Sequence, residues 1–385
     1  MSRIAARVCH LAVVTVAATL VAGCPDLQAA LETPIDVAAG LQAEWIVYPA
    51  ESPSALAFAD DGRVFYTEKN TGRIRVIANG TLLEQPFAEL PVNFANDAGL
   101  LGIALHPQFN ITHRVYVFYT RSDTGAPSNN AAAVVDHRIV YFDATNNVAS
   151  GGEIFVASMP ASGDGKRIGG RIAFAGDGTL FVALGDLGTI TSAQDETRRA
   201  GKVLRYNDDG SIPANNPIAD SPVYARGLRD PAGLTFDPQS GAFFLIDRNL
   251  LGYNEINRIE PGRDYGWPVV TGFANTTAEL EYVAQHAEYM DPLFDTGLDA
   301  DVLVGAGFNP STKYGADTLL DFFYGRAGDG RVYVAQLSGG RDSLVQSQTF
   351  AHGFPTALRD IAFTPAGTLY VASDNAILRV VTYAP

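Results

Sequence analysis

Two arginines and one aspartate stand out as groups that could do chemistry. Arg229 lies in Gly227-Leu-Arg-Asp-Pro231 and Arg359 in Leu358-Arg-Asp360. A guanidinium presents a planar fork of donors that matches a carboxylate, so both side chains could hold an anionic ligand. The bland alternative is an ion pair with Asp230 or Asp360 beside them, or with another loop acid. Asp186 follows a glycine in Leu184-Gly-Asp186 and could serve a site or cap a turn. A neutral proton acceptor would ordinarily be a histidine. His137, His286 and His352 each stand without a second histidine at ligand spacing and read as surface or loop residues. His106 precedes Pro107 in a turn and reads as a packed residue. His286, in the insertion 279–290, is the histidine that could reach a rim and act as a base. Asn207-Asp-Asp-Gly210 lacks the alternating acids and closing Glu of a calcium loop and reads as a hairpin turn. The sequence holds no Gly-x-Ser-x-Gly elbow, phosphate loop or His-Glu-x-x-His helix.

These residues sit at the ends of a repeated pattern. An apolar-x-apolar segment is followed by a turn rich in Asp and Gly and then by a β-branched or aromatic strand. The clearest copies are Leu56-Ala-Phe-Ala-Asp-Asp-Gly-Arg-Val-Phe-Tyr66 and Ile172-Ala-Phe-Ala-Gly-Asp-Gly-Thr-Leu-Phe-Val182. Others begin at Ile103, Leu234 and Ile361, with a weaker one at Phe322 running to Val334. Six hairpins with period-two alternation predict an all-β fold, a six-bladed β-propeller in which each blade buries its apolar faces on its neighbours. The stretches 121–136, 187–200, 247–254 and 273–320 read as long loops on one rim, where a binding surface is expected. The last strand, 376–382, is expected to complete a blade begun elsewhere, closing the ring and removing sheet edges.

The chain has 385 residues and a formal net charge of −15. A surface of that sign repels phosphate backbones, so nucleic acid is not expected as a partner. The two cysteines, Cys9 and Cys24, both lie near the start, so the body has no disulfide, cysteine zinc site or thiol nucleophile. Arg3 and Arg7 precede an apolar run from Leu11 to Ala22, which has the form of an export signal. The run is too short to span a bilayer, which takes about 20 residues. Leu20-Val-Ala-Gly-Cys24 resembles the bacterial lipobox, in which the cysteine becomes the lipidated first residue. The expected organisation is a signal peptide over 1–24, a tether over 25–36 and a propeller over 37–385. A lipid-anchored cell-envelope location follows from it.

Further segments carry a family resemblance. They are Gly99-Leu-Leu-Gly-Ile-Ala-Leu-His-Pro-Gln-Phe109, Gly169-Gly-Arg-Ile-Ala-Phe174, Gly201-Lys-Val-Leu-Arg-Tyr206, Glu255-Ile-Asn257, Tyr265-Gly-Trp-Pro268 and the two Arg-Asp segments above. With these the chain resembles the glucose/sorbosone dehydrogenase family over nearly all of residues 40–381. Those are aldose dehydrogenases that use pyrroloquinoline quinone and calcium on a six-bladed propeller. The resemblance implies that Arg229, Asp230, Arg359 and Asp97 lie at the quinone. It also implies that the carbonyls of Asn249 and Leu250 stand where calcium is held, and that Asp186 orients the proton acceptor. That acceptor is a His just before Gly-Gly-Arg in the family, and here the position is Arg167. Arginine stays protonated and cannot act as a base. The family's Asn after the first Arg is Asp230, its second Arg before Arg359 is Ala357, and its fifth-blade Lys is Ser338, with Arg341 close by in sequence.

The resemblance implies a hydride transfer from a small-molecule sugar to the quinone. The alternative is a catalytically degenerate propeller that binds a carbohydrate, a small anion or a protein partner at the envelope. An open central cavity holding the arginines together with a carboxylate or His would favour the first. An Arg167–Asp186 pair plugging that cavity would favour the second.

Overall fold

Six short segments of the same kind run side by side around one axis: Pro53–Phe58, Leu100–Leu105, Gly169–Phe174, Pro231–Phe236, Leu303–Phe308 and Leu358–Phe363. The last packs against the first, so the ring is closed. The computed structural model describes residues 35–382 except 39, 250, 251 and 356. Each segment is the inner strand of an antiparallel sheet whose later strands step outward, which gives the six blades expected from the repeats. The Asp-Gly turns join first and second strands, where period-two alternation reverses direction.

Packing between blades follows from that alternation. Residues on one face of each middle strand are fully buried, among them Phe65, Phe118, Phe244 and Phe323. Each is worth roughly 1.5–3 kcal/mol on removal from water. They fill clusters shared by adjacent blades; one joins Phe118 and Ile139 to Ile172, Val182 and Leu204 across the second and third blades. The inner strands approach each other too closely for large side chains. Gly305 takes φ +57°, and a Cβ there would lie 2.3 Å from the backbone nitrogen of Ile361 in the next inner strand.

Three sequence expectations are corrected. Residues 273–320 are not one loop. They include the helix Thr277–Gln285 and the inner strand of the fifth blade, Leu303–Phe308. The strands at Phe322–Arg326 and Arg331–Leu337 are the second and third of that blade. The strand Ile377–Thr382 belongs to its own hairpin with Leu369–Ser373. Closure comes from the N-terminal side, where Leu41–Val47 pairs with Ile377–Thr382 as the outermost strand of the sixth blade. Just before it, Asp36–Val37 pairs with Ala351 and His352 at the edge of the fifth.

Candidate functional site

The two mouths of the central axis differ in chemistry. The mouth where the inner strands end is a space of about 640 Å³ with Phe58, Phe174, Phe236, Phe308 and Phe363 in its wall and no charged residue among the described ones. The mouth where they begin is a cleft of about 90 Å³, walled by Ser54, Lys69, Asp97, Arg171, Arg248 and Arg359 together with small and apolar residues. Four cationic heads and one carboxylate therefore meet at one end of the ring.

The cations are held from behind. Arg171, on the third inner strand, pairs with Asp360 at 3.2 Å, and its Nη2 donates to the carbonyl of Arg359 at 2.7 Å. The other Asp360 oxygen accepts the Leu56 N–H at 2.9 Å. Burial pushes the Asp360 carboxyl above its usual range despite the opposing pull of Arg171. Arg171 also walls a space of about 70 Å³ beneath the cleft, so this pair is the cleft's floor. Arg248 pairs with Asp230 at 2.8 Å, while the other Asp230 oxygen is buried with no hydrogen bond. Burial raises the Asp230 carboxyl, and Arg248 opposes the rise. Arg359 pairs with Asp374. Lys69 makes no ion pair among the described residues; its Nζ donates to the Asn96 carbonyl at 2.8 Å, and burial lowers its pKa.

Arg167 stands beside the cleft and outside its wall. Its backbone is left-handed, with φ +53°, and its N–H donates to Asp97 Oδ2 at 2.9 Å. Its Nε lies 2.9 Å from Asp186 Oδ1, an ion pair without the alignment of a hydrogen bond. Asp186 is fully buried and also accepts from Gly188 N–H at 2.8 Å and Trp267 Nε1 at 3.0 Å. Glycine is required at 185, because a Cβ would lie 2.0 Å from the Arg167 carbonyl oxygen. Asp186 faces a separate pocket of about 510 Å³ with Thr189 and Ser192. The predicted pair thus exists but does not plug the axis.

Of the other residues singled out in the sequence, Asp97 and Arg359 reach the cleft directly. Arg229 lies behind it, with its guanidinium 5.4 Å from the Trp267 ring and its Nη1 donating to the Arg248 carbonyl at 3.1 Å. The alternative pairing of Arg229 with Asp230 is not formed, since Asp230 serves Arg248. Arg341 is on the opposite face, where it pairs with Asp237, directly after Phe236. Asn249 donates its N–H to Asn254 Oδ1 at 3.2 Å, and Leu250 lies outside the described residues, as does Cys24. Among the described residues no group of three His, Cys, Asp or Glu could hold a metal. Lys69, Arg171 and Arg248 were not expected at the site. Arg171 stood in the quoted Gly-Gly-Arg segment, and Arg248 directly precedes Asn249.

The described histidines are placed away from the cleft. His286 stacks on Tyr282 at 3.8 Å, and its Nδ1 is 2.8 Å from the Tyr282 carbonyl. His137, expected at the surface, is fully buried: its Nε2 accepts the Ser162 N–H at 3.1 Å, which leaves Nδ1–H to donate to Thr120 Oγ1 at 2.9 Å. Burial pushes its pKa down to about 4. The unfolded chain binds a proton at His137 below about 6.5 that the folded chain does not bind until about 4. Stability contributed by His137 is therefore complete above pH 6.5 and lost as pH falls toward 4. The check is urea unfolding from pH 4 to 7: H137Q should lose about one proton's worth of the slope of stability against pH, and unchanged slopes would show that His137 charges in the fold.

Comparison with known proteins agrees with this architecture. The glucose/sorbosone dehydrogenase family matches residues 50–381. The aldose sugar dehydrogenase YliI of Escherichia coli is 30% identical over 347 residues, covering 87% of this chain and 90% of the relative. The quinoprotein glucose dehydrogenase B of Acinetobacter calcoaceticus is 30% identical over 291 residues, covering 68% and 59%. The crystal structure of a putative oxidoreductase (glucose dehydrogenase) from Thermus thermophilus superposes with a TM-score of 0.75 at 30% identity, covering 89% of this chain and all of that one. A closed six-bladed ring with this match along almost its whole length makes the chain a member of the glucose/sorbosone dehydrogenase family.

Proposed function

We propose that the protein is an envelope-bound sugar dehydrogenase that uses pyrroloquinoline quinone at the cationic cleft. The observation that carries this is the placement of Arg167 and Asp186. They pair beside the axis and leave the cleft open, with Lys69, Arg171, Arg248 and Arg359 around it. Such a donor set fits a polycarboxylate. These four side chains would hold its carboxylates. Asp230 fixes the fork of Arg248 from behind, and Arg229 fixes its carbonyl. When bound, the quinone supplies the two-electron acceptor for an aldose. No step is assigned to calcium: the carbonyls that the resemblance gives it are those of Asn249 and Leu250, and Leu250 lies outside the described residues. Export and lipid attachment at Cys24 rest on the signal sequence and the lipobox-like Leu20-Val-Ala-Gly-Cys24.

A binding propeller without catalysis is the second reading. Arg167 at the position of the family's proton acceptor favours it, as does a cleft of about 90 Å³, small beside the roughly 300–1,000 Å³ of ordinary ligand pockets. An absorbance titration of the full chain with the quinone, followed by a panel of aldoses, separates the two. The expected result is saturable binding and bleaching by at least one sugar. Arg359→Met removes a charged contact from the cleft wall and should weaken quinone binding about tenfold or more. No binding up to high micromolar quinone would leave the binding propeller.

A further inference from the structure

We infer that Asp97 takes the proton of the sugar hydroxyl, in place of the residue at position 167. This rests on the quinone reading above. The cleft wall leaves few choices for a base. Arg171, Arg248 and Arg359 remain protonated. The Nζ of Lys69 is engaged as a donor to the Asn96 carbonyl, and the Ser54 hydroxyl sits 2.6 Å from the Leu100 carbonyl. Among the described residues no histidine lines the cleft, and Asp97 is its one carboxylate.

Asp97 is both fixed and available. Its N–H donates to the Gly165 carbonyl at 2.9 Å, and its Oδ2 accepts the Arg167 N–H at 2.9 Å. Two bonds therefore tie it to the segment 165–167. Its Oδ1 carries no hydrogen bond among the described residues, and the residue is exposed on the cleft side. Position 167 thus keeps a part in the site through its backbone: the left-handed turn sends the side chain to Asp186 and the N–H to Asp97. The arrangement has the geometry of a general base, one oxygen anchored and the other open.

The step balances with an ortho-quinone as oxidant. The aldose C1–H bond breaks and its electron pair leaves as hydride to the oxidant. The C1 hydroxyl O–H bond breaks, and its proton passes to Asp97 Oδ1. The O–H electrons form the new C1=O bond of the lactone. Asp97 then returns its proton to solvent.

The variant Asp97→Asn separates chemistry from structure, because the amide oxygen can still accept the Arg167 N–H. With full chain, the expected result is an unchanged melting temperature, a quinone dissociation constant within twofold of wild type, and a kcat lower by about 10²–10⁴. Asp97→Glu, which keeps a carboxylate, should recover part of that loss. A kcat for D97N within threefold of wild type would overturn the inference. Loss of quinone binding in D97N would also overturn it, since Asp97 would then hold the cofactor. If the unmodified chain binds no quinone, the quinone reading falls and takes the inference with it. That failure is distinguishable, because wild type and D97N then give the same flat titration.

Discussion

Replacing Arg341 with Met should cost the propeller about 3–5 kcal/mol, the usual consequence of leaving a buried charge without its partner. Arg341 Nε and Nη2 donate to the two oxygens of Asp237 at 2.9 and 3.0 Å, and Nη1 donates to the Leu320 carbonyl at 2.9 Å. The guanidinium also lies 4.8 Å from the Phe308 ring. Both charges are buried, with side-chain exposures of 7% and 0%. Burial alone would raise the Asp237 carboxyl, yet hydrogen bonds from Arg341, Ser240 and Gln239 hold it below its usual range. The pair joins the first turn of the fourth blade to the fifth, so its loss loosens a seam of the ring. Urea unfolding checks this. R341M should lower the midpoint strongly, R341K should recover little because a point charge cannot bridge both oxygens, and R341M/D237N should cost less than R341M alone. A single-variant cost below about 1 kcal/mol would show the pair to be as weak as a surface one. Arg341 thus has a structural role on the far face, not that of a substitute for the family's fifth-blade Lys.

The repeat was legible because two local rules coincide in each copy. Alternation marks a half-buried strand, and Asp-Gly marks the hairpin that follows. Where one rule lapses, the reading fails. Leu303-Val-Gly-Ala-Gly-Phe308 has no clean alternation, because close approach of the inner strands demands small residues there. The helix Thr277–Gln285 is short and inside an insertion, yet its start carries a capping box. Thr276 accepts from the Glu279 N–H, and the Glu279 side chain accepts from Thr276. The Thr-x-x-Glu spacing was the signal that could have found it. Ring closure by Leu41–Val47 is a contact between chain ends, which no local pattern encodes.

The site was less legible for a similar reason. Arg229 and Arg359 share the same local setting, an Arg-Asp step entering an inner strand, but only Arg359 reaches the cleft. Their neighbouring acids do not pair with them. Asp230 goes to Arg248 and Asp360 to Arg171, across strands and blades. Sequence proximity suggests i,i+1 ion pairs, while strand geometry sends adjacent side chains to opposite faces. Lys69, Arg171 and Arg248 converge only once six strands are set around an axis.

Glu255 should make the protein less stable as pH rises from about 5 to 9, and Glu255→Gln should remove much of that loss. Glu255 faces Asp247 across neighbouring strands, and both are almost fully buried. Asp247 accepts the N–H groups of Arg229 and Asp230 at 2.8 and 2.6 Å, and Glu255 accepts from Gly272 N–H at 2.7 Å and Asn257 Nδ2 at 2.9 Å. Neither has a cation within ion-pair distance among the described residues. Burial pushes Asp247 up to about 7 and Glu255 up to about 8. Asp247 ionises first, so its charge then opposes ionisation of Glu255. The folded state keeps a proton on Glu255 that the unfolded state releases near 4.3. The resulting stability is complete below that pH and lost as pH rises toward 8. In E255Q position 255 carries no charge at any pH, so only Asp247 is left to ionise there, and the added amide N–H can donate to Asn257 Oδ1, which has no hydrogen-bond partner among the described residues. At pH 9 the variant should exceed wild type by a few kcal/mol, on the order of 1.4 per unit of displaced pKa. At pH 5 the two should nearly coincide. Parallel stability curves for wild type and E255Q between pH 5 and 9 would mean that Glu255 is charged throughout, with a cation or water neutralising it.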